Sequence, residues 1–95
     1  MPYELKLPLL WSNQRWKVKV YDSEGPEEPH VSILRRNWTW RVGLRSFEFL
    51  DRLPDGKDVP RKLLDLVRSH SQELQNAWDA LHPANPVFTT EDDDA

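Results

Sequence analysis

Cysteine is absent from this chain, which removes a disulfide framework, a thiolate metal site and a cysteine nucleophile at once. Glycine is scarce. Gly25, Gly43 and Gly56 each stand alone, and isolated glycines do not make a loop that cradles phosphate through successive backbone N–H groups. No apolar run approaches the ~18 residues of a membrane-spanning helix. The opening Met1-Pro2-Tyr3-Glu4-Leu5-Lys6 lacks the apolar core of a secretory signal. The expectation is a cytoplasmic protein in a reducing setting, without membrane contact. At 95 residues the chain has room for one domain, since domains run roughly 100–200 residues.

Five tryptophans, two tyrosines and three phenylalanines supply the core, each burying roughly 150–250 Å². The formal net charge of −3 is unevenly spread. Glu91, Asp92, Asp93 and Asp94 hold four of the 16 acids; the rest of the chain sets 13 basic residues against 12 acidic ones. Val31 to Phe47 contains Arg35, Arg36, Arg41 and Arg45 and no acid. The body is near neutral with one basic region, and the acidity is a tail.

Tyr3 to Trp11 alternates apolar residues but is interrupted by Pro8, so it reads as an edge strand or extended arm. Ser12-Asn13-Gln14 signals a turn. Arg15 to Tyr21 then alternates strictly, with Trp16, Val18 and Val20 on one face and Arg15, Lys17 and Lys19 on the other. That is a half-buried strand. After a Pro- and Glu-rich loop, His30–Leu34 and Trp38–Leu44 read as two strands joined near Arg35-Arg36-Asn37. Trp38, Trp40, Val42 and Leu44 share a parity; Phe47 and Phe49 have the other, which requires a bend or bulge near Arg45-Ser46 before a short strand through Leu50.

From Asp58 the period changes. Leu63, Val67, His70, Leu74, Ala77, Trp78 and Leu81 recur at three and four residues, the stripe of an amphipathic helix of roughly 23 residues. Asp58 suits its N-cap, Pro60 its first turn, and Pro83 ends it. The polar Ser69-His70-Ser71 centre leaves a kink, or two shorter helices, as the alternative. The fold class is α+β. It consists of two layers, an antiparallel sheet of three to five strands covered on one face by a long C-terminal helix. In this reading Trp16, Trp38 and Trp40 all meet that helix. Residues 1–83 form the domain, with 1–14 as the edge strand or arm, and residues 84–95 are an acidic, mostly disordered tail.

Three constellations bear on function. The sheet face opposite the helix should carry Arg15, Lys17, Lys19, Arg41 and Arg45. Such a face could contact phosphates or an acidic protein partner, or simply solvate the sheet. Stacking platforms usually accompany single-strand binding, but here the sheet tryptophans carry the buried parity and only Tyr21 sits with the basic set. His70 stands three residues before Glu73 on one helix turn, where His30 could join them as a catalytic or metal-binding set. Yet no His-Glu-x-x-His signature exists, and a hydrogen-bonded core histidine is the ordinary explanation for His70. The acidic loop lacks the ligand spacing of a calcium site. No metal and no cofactor is expected.

A further pointer lies in the order of the marks. Val18-Lys19-Val20-Tyr21 leads through an acidic, Pro-rich loop into Pro29-His30. Later come Leu53-Pro54, Leu63-x-x-Leu66-Val67 and His70-x-x-Glu73-Leu74-x-x-x-Trp78. This order resembles a family of short bacterial proteins of unknown function, marked by Pro-Pro-His-x-His and a C-terminal Glu-Leu…Trp helix. The resemblance spans about residues 16–81 and implies membership of a toxin–antitoxin-like pair. It departs at His30-Val31-Ser32, where the second histidine of the motif is missing, so half of any histidine site is gone. The leading functional reading is a non-enzymatic protein-interaction module, binding a partner or itself through the edge strand at residues 3–11. The alternative is nucleic-acid binding through the basic sheet face, and the third is a toxin-like enzyme using His30, His70 and Glu73.

Overall fold

The computed structural model describes residues 2–22 and 27–88. The strict alternation around Lys17 and Lys19 becomes a central strand, and the segments flanking it in sequence pair with it on both sides. Among the described residues four strands form one antiparallel meander in the order β1-β2-β3-β4. They are β1 (Tyr3–Leu5), β2 (Trp16–Val20), β3 (His30–Arg35) and β4 (Trp38–Gly43). The register aligns Leu5, Val18, Ile33 and Trp40 in one row across the sheet, and all four are buried. The α+β class read from the sequence is the observed one.

The first segment is shorter as a strand than expected. Only Tyr3–Leu5 pairs with β2; from Pro8 the chain turns into a four-residue helix, α1 (Leu9–Ser12). Pro8 lacks an N–H, so at the cap position it leaves no donor unsatisfied, and its carbonyl accepts from Trp11 and Ser12 at 3.0 and 3.1 Å. Trp11 thereby packs on the core from α1, not from an extended arm.

Beyond β4 the expected bend is present. The Gly43 N–H donates to Glu48 and the Leu50 N–H to Arg41, both at 2.9 Å, and Val42 bridges Phe49. Phe47 takes φ 58° in the reversal. A short 3₁₀ turn at Gly56–Asp58 comes next.

In place of the one long helix stand the two shorter ones that the polar centre left as the alternative: α2 (Arg61–Ser69) and α3 (Ser71–Leu81). His70, at φ −101° and ψ 20°, breaks the path. The Ser69 hydroxyl donates to the Leu66 carbonyl at 2.6 Å, and a serine bonded back to the preceding turn is a known cause of helix bending. Asp58 is not the helix cap. Val59 enters the core and precedes Pro60, which pushes it to an extended backbone, φ −88° and ψ 122°. The helix therefore starts after Pro60.

The core joins the sheet to Val59, Leu63, Val67, Leu74, Trp78 and Val87. Val87 belongs to the segment expected to be tail. Its N–H donates to Asp79 Oδ1 at 2.8 Å, and the Trp78 indole donates to the Asn85 carbonyl at 2.6 Å. The packed body thus continues past residue 84 to Val87. The acids Glu91 to Asp94, with the rest of the expected tail, lie outside the described residues. Among the described residues no helix is long and apolar enough to cross a membrane.

Candidate nucleic-acid interface

The β3–β4 hairpin turns on two residues, Arg36 and Asn37, with Arg35 paired to Trp38 across its end. Arg36 has φ 57°. In register with that pair lies Trp16 on β2, so Trp16, Arg35 and Trp38 make the last row of the sheet. All three residues have the core parity, but the cover fails at this row. Trp16 is 3% exposed, whereas Trp38 is 58% exposed. The expected burial of Trp38 is wrong for a positional reason. Alternation fixes which face a side chain occupies, not whether a helix reaches that far along the strand.

Arg35 lies over the Trp16 ring, 5.1 Å from guanidinium carbon to centroid, and its Nε–H donates to the Gln14 carbonyl at 3.1 Å. Trp16 and Trp40 meet at 5.5 Å between centroids, tilted by 42°. The Trp40 indole donates to the Asp55 carbonyl at 2.9 Å. A cleft of about 420 Å³ opens among Trp16, Arg35, Arg36, Trp38, Trp40 and Asp58. On the other side of the same hairpin end a second cleft is lined by Arg15, Lys17, Lys19, Leu34 and Arg36. Arg36 borders both.

The five basic residues expected on the sheet face part company here. Arg15, Lys17 and Lys19 gather beside the hairpin end, with Lys19 3.9 Å from Glu4. Arg41 is already committed. Its guanidinium grips Asp51 through two bonds, Nε to Oδ2 at 2.8 Å and Nη2 to Oδ1 at 2.7 Å, and also pairs with Glu27. This hydrogen bonding holds the Asp51 carboxyl below the usual carboxylate range. Arg45 does not belong to the sheet face at all. It lies in the turn after β4 and donates to the carbonyls of Val87 and Pro86, tying down the C-terminal segment.

The three residues of the enzyme reading have separate surroundings. His70 Nδ1 is 3.3 Å from Glu73 Oε1 on one exposed turn. His30 is buried; its Nδ1–H donates to the Glu28 carbonyl at 2.8 Å, and its ring lies 5.4 Å from Trp78. Trp78 is eight residues past His70, about 12 Å along a helix axis. His82 stacks on Trp78 at 3.8 Å and bonds the Tyr21 carbonyl, a packing role the sequence did not suggest. Among the described residues no group of three His, Asp or Glu could hold a metal ion.

The sequence reading missed Arg35, Arg36 and Trp38 as a set. The signal was available in the two-residue loop, which places Arg35 and Trp38 side by side at the sheet's end. Arrangement and charge suit binding: an exposed indole on a cleft that Arg35 and Arg36 also line. No family model matches the chain, and no curated protein or solved structure matches it.

Proposed function

We propose that this chain is a binding module for single-stranded nucleic acid, working through the end of the β3–β4 hairpin. The observation that carries this reading is the exposed Trp38 indole on a cleft that Arg35 and Arg36 also line. Stacking of a base on an aromatic ring contributes roughly 1–3 kcal/mol and tolerates any sequence. Arg15, Lys17 and Arg36 supply phosphate contacts, whose counterion release makes affinity salt-dependent. The expected basic face survives in part: without Arg41 and Arg45, the electropositive area shrinks toward the hairpin end and meets an aromatic there.

Titration of unstructured RNA and DNA octamers, monitored by tryptophan fluorescence at ~50 and ~150 mM salt, tests it. Saturable quenching is expected, and Trp38→Ala should weaken binding by about 1–3 kcal/mol. Lys17→Gln or Arg36→Gln should each lower the salt slope by about one unit at most. Absence of saturable binding at the lower salt sinks the reading.

A protein partner is the second reading, with its own observation. Leu9 is 74% and Leu10 61% exposed on α1, and β1 ends the strand order, so an added strand would find main-chain partners along its outer edge. A 1:1 or 2:2 complex that is lost in Leu9→Lys supports this surface.

A further inference from the structure

The cleft beneath Trp38 is lined by one carboxylate that the fold itself does not use, that of Asp58. Trp16 lines the cleft with its ring, while its indole N–H is closed off from solvent. The Asp58 backbone N–H closes the 3₁₀ turn onto Asp55 at 3.0 Å, while its side chain pairs with no described residue and faces the same cleft as Arg35 and Arg36. The other indole donor, from Trp40, is occupied by Asp55.

The charge of the lining narrows the ligand. Two arginines against one carboxylate disfavour a quaternary ammonium, which an aromatic box would otherwise suit, and favour a group carrying phosphate. The volume of about 420 Å³ lies in the small-molecule range of roughly 300–1,000 Å³, so one nucleotide fits where a folded partner does not. What distinguishes the bases is then their edge. A carboxylate has two acceptor oxygens and no donor. Guanine alone presents two adjacent donors, N1–H and the N2 amine, next to the O6 acceptor. Uracil and thymine flank their single N–H with carbonyls, which repel a carboxylate. Adenine and cytosine set a ring acceptor beside their amine.

Resting on the single-strand reading of the same site, we propose that this cleft is a guanine seat. Asp58 accepts from N1–H and N2–H, and Trp38 and the arginines take the ring and phosphate. The same chemistry would take a guanine in a strand or a free guanine nucleotide.

Four octamers decide it: oligo-U, and oligo-U with one central G, A or C, each titrated at ~150 mM salt, with guanosine monophosphate as a competitor. The G octamer should bind about tenfold or more tighter than oligo-U, a discrimination in the range of one bidentate base contact, while A and C stay within a few-fold. Asp58→Asn, checked for an unchanged thermal melt, should erase the G preference and leave oligo-U affinity equal or higher. Equal affinity for the four octamers, or a G preference that survives Asp58→Asn, overturns the guanine seat while the single-strand reading stands. Binding of guanosine monophosphate with no octamer bound upholds the seat and overturns the strand. No binding of either overturns both.

Discussion

Trp38 and Trp40 are two residues apart, on one strand and one face, and their fates differ. Trp40 is buried with its indole bonded to Asp55, while Trp38 stands largely in solvent. Arg41 shows the same contrast between pattern and outcome. Alternation places it with Lys19 on the polar face, across from Ser32, yet Asp51 and Glu27 claim its guanidinium. Neither acid is near Arg41 in sequence, so periodicity could not reveal the pairing. The pair has a measurable signature. Asp51 is held below the usual carboxylate range chiefly by its hydrogen bonds from Arg41. Its contribution to stability is therefore complete above the unfolded value, ~3.9, and is lost as pH falls through the lower folded value. Asp51→Asn should cost about 1 kcal/mol at pH 7, a modest figure because water screens the partly exposed pair. Urea denaturation between pH 2 and 7 should show the gap between wild type and variant closing below about pH 4. A gap that stays constant to pH 2 would remove the ion pair from the account.

At the scale of elements, strands were legible and their ends were not. β2, β3 and β4 arise from period-two alternation, because a side chain's face is set by its parity alone. The helix break at His70 was legible only in the polar Ser69-His70-Ser71 centre and not in the apolar stripe, since Leu63, Val67, Leu74 and Trp78 all remain buried on either side of it. A one-residue break that keeps both helices on the sheet leaves the stripe intact. The C-terminal segment hid for a different reason: one valine among prolines and polar residues gives no period. Its docking is read instead from Asp79 on α3 and from two partners far away in sequence, Arg45 and Glu27. Truncation measures how much that docking contributes. Removing residues 87–95 should destabilise the fold by about 2 kcal/mol or more, through the loss of fully buried Val87. Val87→Ala in the full chain should account for much of that loss. Equal melting temperatures for the full chain and the chain ending at 86 would show that the segment merely lies on the surface.

At the scale of the whole molecule, the proposed binding surface and the most closely packed part of the core lie at opposite ends of the sheet. The molecule measures 46 × 25 × 23 Å along its principal axes. At one end α3 and the C-terminal segment close over the strands: His82 bonds Tyr21, Gln75 bonds Leu44, and Trp78 is sealed between His30 and His82. At the other end the Trp16–Arg35–Trp38 row runs past that cover, and the cations of Arg15, Lys17 and Arg36 collect beside it. Stability and binding should then be separable by substitution. Trp78→Ala removes a fully buried indole and should cost about 3–5 kcal/mol, with the surviving native fraction binding single strands as wild type does. Trp38→Ala should do the reverse, weakening binding while moving stability by no more than about 0.5 kcal/mol, as exposed positions usually do. Paired denaturation and binding curves on the two variants measure both quantities. If Trp38→Ala cost more than about 1 kcal/mol of stability, the ring would be part of the core's support, and its exposure would lose its meaning as a binding surface.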